Sequence, residues 1–391
     1  MVVLVLLACV GVPAAAKQKA HQASGKALQG RGAWIWYVSH ADGGRLSSIV
    51  ATAHRYGVTS LMVKAGDGSG AWSQFSSGLV HYMHSHGLRV CAWQYVYGTH
   101  PVAEARIGAA AVHRGADCLL IDAESEYEGK YVSAQTYMRT LRRSVGKSYP
   151  IGLASFPYVD YHPGFPYSVF LGPGGAQFNA PQMYWRDIGV SVDTVYSHTY
   201  GFNRPYARTL APLGEVTGPP PQSQIKRFRQ LSRAYGARGV SWWEWAEATR
   251  GSWHALSQPV GSPSNFKARG SYASIGRGAQ GDLVVWAQEH LDSAGQHIAV
   301  DGSYGGGTMR AVKRFQSAHG ITQTGVIGTK TWRALLRYPA HAVTWTNGGA
   351  RLARHGASEG GASAGGELTP VPKSASLPAK RYEIPPSLGR G

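Results

Sequence analysis

Two hydrophobic periods alternate along the first two thirds of the chain, one typical of strands and one typical of helices. Eight short apolar runs, rich in β-branched and aromatic residues, predict strands at 33–39, 60–65, 89–97, 118–123, 151–156, 177–184, 208–213 and 239–245. Between them, apolar residues at helical spacing predict helices that include 45–56, 74–86, 102–113, 132–145 and 222–235. A glycine closely follows each of these helices, which is a common signal for a helix end.

Strands that alternate with helices over residues 32–257 predict an α/β fold, and eight such units predict a (β/α)8 TIM barrel. The alternative is an open, doubly wound sheet. That fold often carries a glycine-rich phosphate-binding turn after its first strand, and Asp42-Gly43-Gly44 is only a weak imitation of one. We therefore expect the closed barrel.

The pattern changes after residue 257. Residues 258–273 are rich in proline, glycine, serine and asparagine and are interpreted as a linker. Within 274–338, three short helical runs joined by glycine-rich turns predict a small all-α three-helix domain. Residues 339–391 are mainly small residues and proline with scattered basic residues, and they predict a disordered tail because they have little apolar surface to bury.

The three-helix segment resembles the peptidoglycan-binding module of bacterial wall hydrolases. The positions that carry the resemblance are Gly278, Gly281, Val284, Gln288, Leu291, Gly295, Asp301, Gly302, Gly305, Thr308, Ala311, Val312, Phe315, Gln316, Gly325, Gly328, Thr331, Trp332 and Leu335. The resemblance implies that peptidoglycan, or a related N-acetylhexosamine glycan, is the partner. A generic three-helix bundle without a ligand is the alternative.

The N-terminus and the charge of the chain indicate an exported protein. Residues 1–12 are apolar, and Ala14-Ala15-Ala16 precedes Lys17, so we expect a signal peptide at 1–16 and a flexible leader at 17–31. A lipoprotein signal that ends at Cys9 is the alternative. The apolar run is too short to span a bilayer, and we expect no membrane contact after cleavage. The mature protein is expected to be a secreted, cell-wall-associated monomer.

The formal net charge of +18 suggests a polyanionic neighbour. Nucleic acid would fit this charge, but an exported chain meets wall polymers instead, so we expect no nucleic-acid partner. Cys91 and Cys118 lie in neighbouring predicted strands, where buried thiols are the default interpretation and a disulfide is possible. The sequence predicts neither a metal site nor a cofactor, since the histidines between 81 and 86 lack a His-Glu-x-x-His arrangement.

Acidic residues concentrate at the predicted C-terminal ends of the strands, where a barrel carries its chemistry. Asp122 and Glu124 are two positions apart at the end of the fourth strand, so alternation places both on one face. Two buried neighbouring carboxylates repel each other, which raises at least one pKa and leaves a proton donor beside an ionised partner. We therefore expect Glu124 to be a general acid and Asp122 its charged neighbour. A strand-end salt bridge is the alternative for this pair, and Glu126 and Glu128 are expected to be solvated.

The barrel region resembles the glycosidase superfamily that includes chitinases and barrel-type muramidases. Three stretches carry the resemblance: Asp122-Ala-Glu124, the run 180–185, and Trp242-Trp243-Glu244-Trp245. It implies that Gln182 and Tyr184 contact the N-acetyl group, and that Trp243, Glu244 and Trp245 line the floor beneath the sugar.

Other strand ends complete the predicted substrate site, where aromatic rings would stack on sugar faces. These residues are Trp36, Lys64, Asp67, Tyr95 and Glu215. The predicted reaction is hydrolysis of a glycosidic bond in an N-acetylhexosamine polymer. The strand-one aspartate of barrel muramidases is missing, because that stretch runs from Trp36 to His40 with Asp42 displaced. A non-catalytic glycan-binding protein therefore stays open as the alternative.

Overall fold

A sheet forms the core of the molecule in a computed structural model, which describes residues 26–263, 266, 268, 270–341 and 343–352. The barrel strands of this sheet are parallel, and the short strand Gly70–Ala71 pairs antiparallel with the end of the second of them. The barrel strands are β1 (Gly30–Ile35), β2 (Ser60–Asp67), β3 (Arg89–Val96), β4 (Cys118–Ala123), β5 (Ile151–Ser155), β6 (Phe178–Pro181), β7 (Thr209–Leu210 and Leu213–Glu215) and β8 (Gly239–Trp243). All eight predicted strands are present. Several end earlier than predicted, because the chain leaves the sheet where the loops of the barrel mouth begin.

The sheet closes on itself through β7. The first half of β7 pairs with β6, and the second half, Leu213–Glu215, pairs with β8. Pro212 separates the halves, since proline has no N–H to donate to a neighbouring strand. β8 then pairs with β1, and the remaining strands follow in chain order around the ring. The predicted (β/α)8 barrel is therefore confirmed, and the open sheet is wrong.

Helices surround the barrel and cover its apolar outer face. They are α1 (Leu46–Tyr56), α2 (Ser77–Ser85), α3 (Pro101–His113), α4 (Tyr131–Val145), α5 (Tyr167–Leu171), α6 (Trp185–Ile188), α7 (Val192–Asn203), α8 (Gln222–Ala234) and α9 (Arg250–Ser257). None of the helices in the described residues is long and apolar enough to cross a membrane.

Large side chains fill the barrel interior, including Trp34, Trp93, Phe178 and Trp243. Ala27 and Leu28 are buried in the same cluster. Ordered chain therefore reaches back into the segment predicted as a flexible leader, and β1 begins at Gly30 rather than after residue 31.

Cys91 and Cys118 form a disulfide between β3 and β4 inside the barrel. The two residues are paired across the strands in register. The sequence left this bond open and favoured buried thiols, because residue spacing cannot show that two strands place both Sγ atoms on the inner face.

A small helical domain follows, with α10 (Asp282–Leu291), α11 (Gly306–Ala318) and α12 (Thr329–Leu335). Its core contains Val284, Leu291, Val312, Phe315 and Trp332. Two buried glutamines hold its glycine-rich turns: Gln288 accepts from Asp301 N at 3.0 Å, and Gln316 accepts from Gly325 N at 2.9 Å. The predicted all-α domain is confirmed.

A hairpin ends the described chain, formed by β9 (Val343–Thr346) and β10 (Gly349–Leu352). Trp345 is buried and its ring centroid lies 4.1 Å from that of Tyr131 on α4. Gln135 donates to Val343 O at 2.7 Å and accepts from Trp345 N at 3.1 Å. The prediction of disorder from residue 339 is wrong for this hairpin, because one tryptophan buries enough apolar surface to hold it.

The remaining predictions on chain organisation lie outside the described residues. They concern the signal peptide, the leader up to residue 25, part of the linker, and the tail from residue 353.

We expect Cys91→Ala/Cys118→Ala to lower the free energy of unfolding by about 3 kcal/mol, because the bond closes a loop in the unfolded chain. The two cysteines are separated by 27 positions in the sequence. Urea unfolding of the oxidised protein and the variant measures the difference. Reduced wild-type protein serves as the control and should unfold close to the variant; equal stability of oxidised and reduced protein would contradict the prediction.

Candidate active site

The mouth of the barrel contains a bridged pair of carboxylates. Asp122 is on β4, where it lies opposite Tyr95 of β3, and Glu124 follows directly after the strand. Gln182, just after β6, donates from Nε2 to Asp122 Oδ1 at 3.0 Å and to Glu124 Oε1 at 2.9 Å. Since one nitrogen binds both, the two carboxylates lie side by side. The structure thus brings together three of the residues that the sequence singled out.

Burial sets the protonation of this pair. It raises the pKa of Asp122 well above its usual value, and the charge of Glu124 raises it further, whereas Lys64 opposes the shift. Burial also raises the pKa of Glu124, while its hydrogen bond from Gln182 lowers it and the charge of Glu126 raises it. In the part of the chain that the structure describes, neither carboxylate forms a salt bridge. Two buried acids without a cationic partner in contact hold their protons to higher pH than exposed carboxyl groups do.

Lys64 is enclosed by aromatic rings rather than open to a ligand. Its ammonium lies 4.8 Å from the centroid of Trp36, 4.6 Å from that of Trp72 and 4.7 Å from that of Trp93. It also contacts Asp67 Oδ2 at 2.7 Å, and its side chain is only 3% exposed. The sequence suggested Lys64 as a polar contact to substrate. The structure instead gives it internal partners, so its effect on the site is the charge that it places near the carboxylate pair.

Two tyrosines, Tyr95 in β3 and Tyr97 directly after it, bind acids around the pair. Tyr95 donates from its hydroxyl to Glu126 Oε2 at 2.8 Å, and Tyr97 donates to Asp67 Oδ1 at 2.7 Å. Glu126 lies in a 3-10 turn just after the pair. The sequence interpretation treated Glu126 as solvated, although its position continues the two-residue spacing of the pair and could have indicated its place.

Aromatic rings form one side of the mouth. The centroids of Trp36 and Trp243 are 5.6 Å apart, and Trp93 packs against Trp243 at 5.5 Å. Trp36 and Tyr184 are partly buried at the edge of the interior cluster.

Two further predicted residues lie in different surroundings. Trp245 is 3% exposed and packs edge-on against Trp253 of α9 at 4.8 Å, so the structure does not bring it to the mouth. It turns outward because the chain leaves the sheet after Trp243. Glu244 is buried and accepts from Trp36 N at 3.4 Å, and burial raises its pKa to about 7.

Glu215 at the end of β7 is also buried. It accepts from Arg186 N at 2.6 Å, and burial raises its pKa to about 7. This contact ties Glu215 to the start of α6 and not to the Asp122–Glu124 pair, so its role is to join two elements of the mouth.

One residue near Glu124 was missed by the sequence interpretation. His162, in the loop after β5, stacks on Phe156 with centroids 3.4 Å apart and contacts Glu128 Oε1 at 3.0 Å. Its charge lowers the pKa of Glu124. No motif marks His162, because only the fold brings the loop after β5 against the loop after β4. Among the described residues, no group of three or more histidine, cysteine or acidic side chains could hold a metal ion.

Comparison with known proteins distinguishes the two parts of the chain. Residues 280–335 match the family described as "Putative peptidoglycan binding domain". The predicted resemblance of this segment is confirmed. A peptidoglycan-binding protein from Clostridioides difficile, solved in complex with glutamine hydroxamate, is 36% identical over 16% of this chain and 40% of its own, with a TM-score of 0.16.

The barrel is similar to solved structures at low identity. The spore cortex-lytic enzyme SleL from Bacillus cereus is 11% identical over 60% of this chain and 75% of its own, with a TM-score of 0.44. A class V chitinase from Pseudomonas fluorescens Pf-5 is 10% identical over 58% of this chain and 98% of its own, with a TM-score of 0.45. No curated protein matches the chain.

We expect Asp122→Asn to raise the free energy of unfolding near pH 7 and to leave it unchanged near pH 4. The pKa of Asp122 is raised on folding. The protonated carboxyl group of Asp122 therefore contributes fully to the free energy of unfolding below the unfolded pKa of about 4. This contribution is lost as the pH rises through the pKa of the folded state. Asparagine does not titrate, so the variant avoids this loss. Urea unfolding across this pH range measures the effect.

The matched control is Asp193→Asn, which removes an exposed carboxylate paired with Arg227 at 2.5 Å. It should gain no stability near pH 7. A wild-type protein that is more stable than Asp122→Asn near pH 7 would contradict the prediction.

Proposed function

We propose that this protein is a cell-wall glycoside hydrolase that cleaves a glycosidic bond in an N-acetylhexosamine polymer, with peptidoglycan as the substrate. The observation that carries the proposal is the pair of carboxylates bridged by Gln182 at the mouth of the barrel. The match of residues 280–335 to a peptidoglycan-binding family supports the choice of polymer.

The proposed chemistry divides the work between the two carboxylates. Burial raises both pKa values, so the pair, which titrates as a unit, holds a proton to higher pH than exposed carboxyl groups do. Glu124 is the less buried member, and we assign it the role of giving a proton to the leaving oxygen. Asp122, beside the charge of Lys64, carries the negative charge that offsets the positive charge developing at the anomeric carbon. A water molecule adds to that carbon in place of the leaving oxygen and gives up a proton to the pair, which restores the acid.

The arrangement around the pair suits a sugar. Indole and phenol rings stack on the apolar faces of pyranoses, and their polar edges reach hydroxyl groups. Tyr95 lies opposite Asp122, and Trp36, Tyr184 and Trp243 belong to or pack against the aromatic interior of the barrel, so we propose these rings as the sugar-stacking surface. Gln182 has its amide directed at the carboxylates, so it orients the acids, and by the family resemblance Tyr184 would meet the N-acetyl group.

The competing function is a barrel that holds glycan without cutting it. Acids held in salt bridges would favour this alternative, because a structural ion pair has no proton to give. In the described residues Asp122 and Glu124 accept instead from a neutral amide. This contact favours catalysis over binding alone.

A location outside the cell is part of the proposal. The Cys91–Cys118 disulfide fits an oxidising compartment, and a peptidoglycan-binding domain fits a place at the wall. We propose a secreted, wall-associated monomer whose positive charge adds non-specific attraction to anionic wall polymers.

We expect Glu124→Gln to bind glycan normally and to lose about 10²–10⁴-fold in turnover, since glutamine keeps the shape but has no acidic proton. Reducing ends released from purified peptidoglycan and from chitin oligomers measure turnover. Asp193→Asn is the control, because its carboxylate pairs with Arg227 on the outer surface. If Glu124→Gln turned over substrate as fast as wild type, another residue would be the general acid. If the wild-type protein were inactive, the non-catalytic binding function would stand instead.

We expect the full-length protein to co-sediment with purified sacculi at about 0.5 M salt, where the Debye length of only a few ångströms screens attraction by net charge. The reason is that a dedicated binding domain makes contacts of short range. An unrelated protein of equal positive charge is the control and should be released by the salt. If the salt released both proteins equally, net charge alone would explain the binding.

A further inference from the structure

The helical domain contacts the barrel through backbone as well as side chains. Asp282 N, in the first turn of α10, donates to Pro163 O at 2.7 Å. Gly281 precedes it with φ of +100°, and a Cβ at this position would lie 2.4 Å from Pro163 O. Only glycine at position 281 allows these two segments of the backbone to approach so closely. The contact therefore depends on the glycine that precedes α10.

The carboxylate of Asp282 completes the contact from inside the interface. Oδ1 accepts from Ser168 N at 2.8 Å and from Tyr206 OH at 2.7 Å, and Oδ2 accepts from Ser168 Oγ at 2.7 Å. Asp282 is fully buried. One turn later, Trp286 donates from Nε1 to Pro205 O at 2.6 Å. The hydrogen bonds that Asp282 accepts all come from residues of the barrel, so the buried carboxylate ties the helical domain to the barrel, and separation would break the bonds.

The backbone N–H of Asp282 binds Pro163 in the loop 156–166 that follows β5. Its carboxylate binds Tyr206 and Ser168, and Ser168 lies in the first turn of α5, directly after this loop. On its other side this loop contacts the loop 125–130 that follows Glu124. Gly129 N donates to Gly164 O at 2.9 Å, and His162 contacts Glu128 Oε1 at 3.0 Å. The same loop therefore touches the helical domain at Pro163 and the surroundings of Glu124 at His162.

We propose that the helical domain is a structural component of the active site, and that Asp282 is a positioning residue that fixes the 156–166 loop beside Glu124. This inference rests on the proposed function and goes beyond it, because the domain then does more than hold the enzyme on its substrate. The rate of bond cleavage depends on the domain even for a small soluble substrate that needs no attachment to the wall.

The first test compares full-length variants on soluble chitin oligomers. Asp282→Ala should lower kcat by roughly tenfold or more with little change in KM, because small displacements near reacting groups are costly in rate. Asp282→Asn should recover part of the loss, since its amide oxygen still accepts from Ser168 N. Arg314→Ala is the control within the same domain, because that guanidinium bonds only to Gln296 among the described residues. It should match wild type.

The second test does not depend on turnover. Amide hydrogen exchange should become faster in residues 125–130 and 156–166 of Asp282→Ala and stay unchanged in Arg314→Ala. Near-ultraviolet circular dichroism checks that both domains remain folded. If Asp282→Ala does not fold, Ser168→Ala removes one bond from the barrel side and should show the same exchange pattern in weaker form.

The outcomes separate this inference from the proposed function. An inactive wild-type protein would end the proposed hydrolase function, yet faster loop exchange in Asp282→Ala would still support the coupling. Folded variants with wild-type exchange in both loops and wild-type kcat would overturn the inference. Reduced kcat with unchanged loop exchange would also overturn it, because the loss would then arise by another route.

Discussion

Closure of the sheet through the two halves of β7 is the constraint on which the other features depend. Once β7 joins β6 to β8, the C-terminal ends of all eight strands lie in one ring. Gln182 after β6 then reaches across to Asp122 and Glu124 at β4. An open sheet would leave these strands in a row, with no inner side on which their side chains could converge.

Burial of a carboxylate at the mouth of the barrel lowers the free energy of unfolding. Asp122 is a carboxyl group whose ionised form loses hydration on burial, and the described contacts give it an amide instead of a cation. The interior below it is packed with large aromatic rings. Dense packing there holds the strand ends in place, so the pair cannot relax toward solvent. Burial raises the pKa values of both acids, and a raised pKa is what the proposed acid chemistry needs.

The helical domain also buries a carboxylate that accepts hydrogen bonds from uncharged donors. Asp282 lies in an interface between two folded units, where its hydrogen bonds come from a backbone amide and two hydroxyls. Burial nevertheless raises its pKa to about 6, so the hydrogen bonds offset only part of the desolvation. A flexible tether would need no such group. The interface makes the domain and the β5–α5 side of the barrel one packed unit.

Alternation of hydrophobic periods was enough to predict the barrel, its eight strands and the three C-terminal helices, because each element buries its apolar face at its own regular spacing. Local alternation also placed Asp122 and Glu124 on one face of β4. Contacts between distant segments could not be predicted in this way. The roles of Gln182 as a bridge, Lys64 as an enclosed cation and His162 as a neighbour of Glu124 depend on which strand ends and loops meet. The same holds for Trp345 and Asp282, whose burial depends on a partner far away in the chain. The sequence by itself determined the elements and their inner faces, and only the tertiary structure decided which side chains share a site, since no local periodicity encodes contacts across the ring.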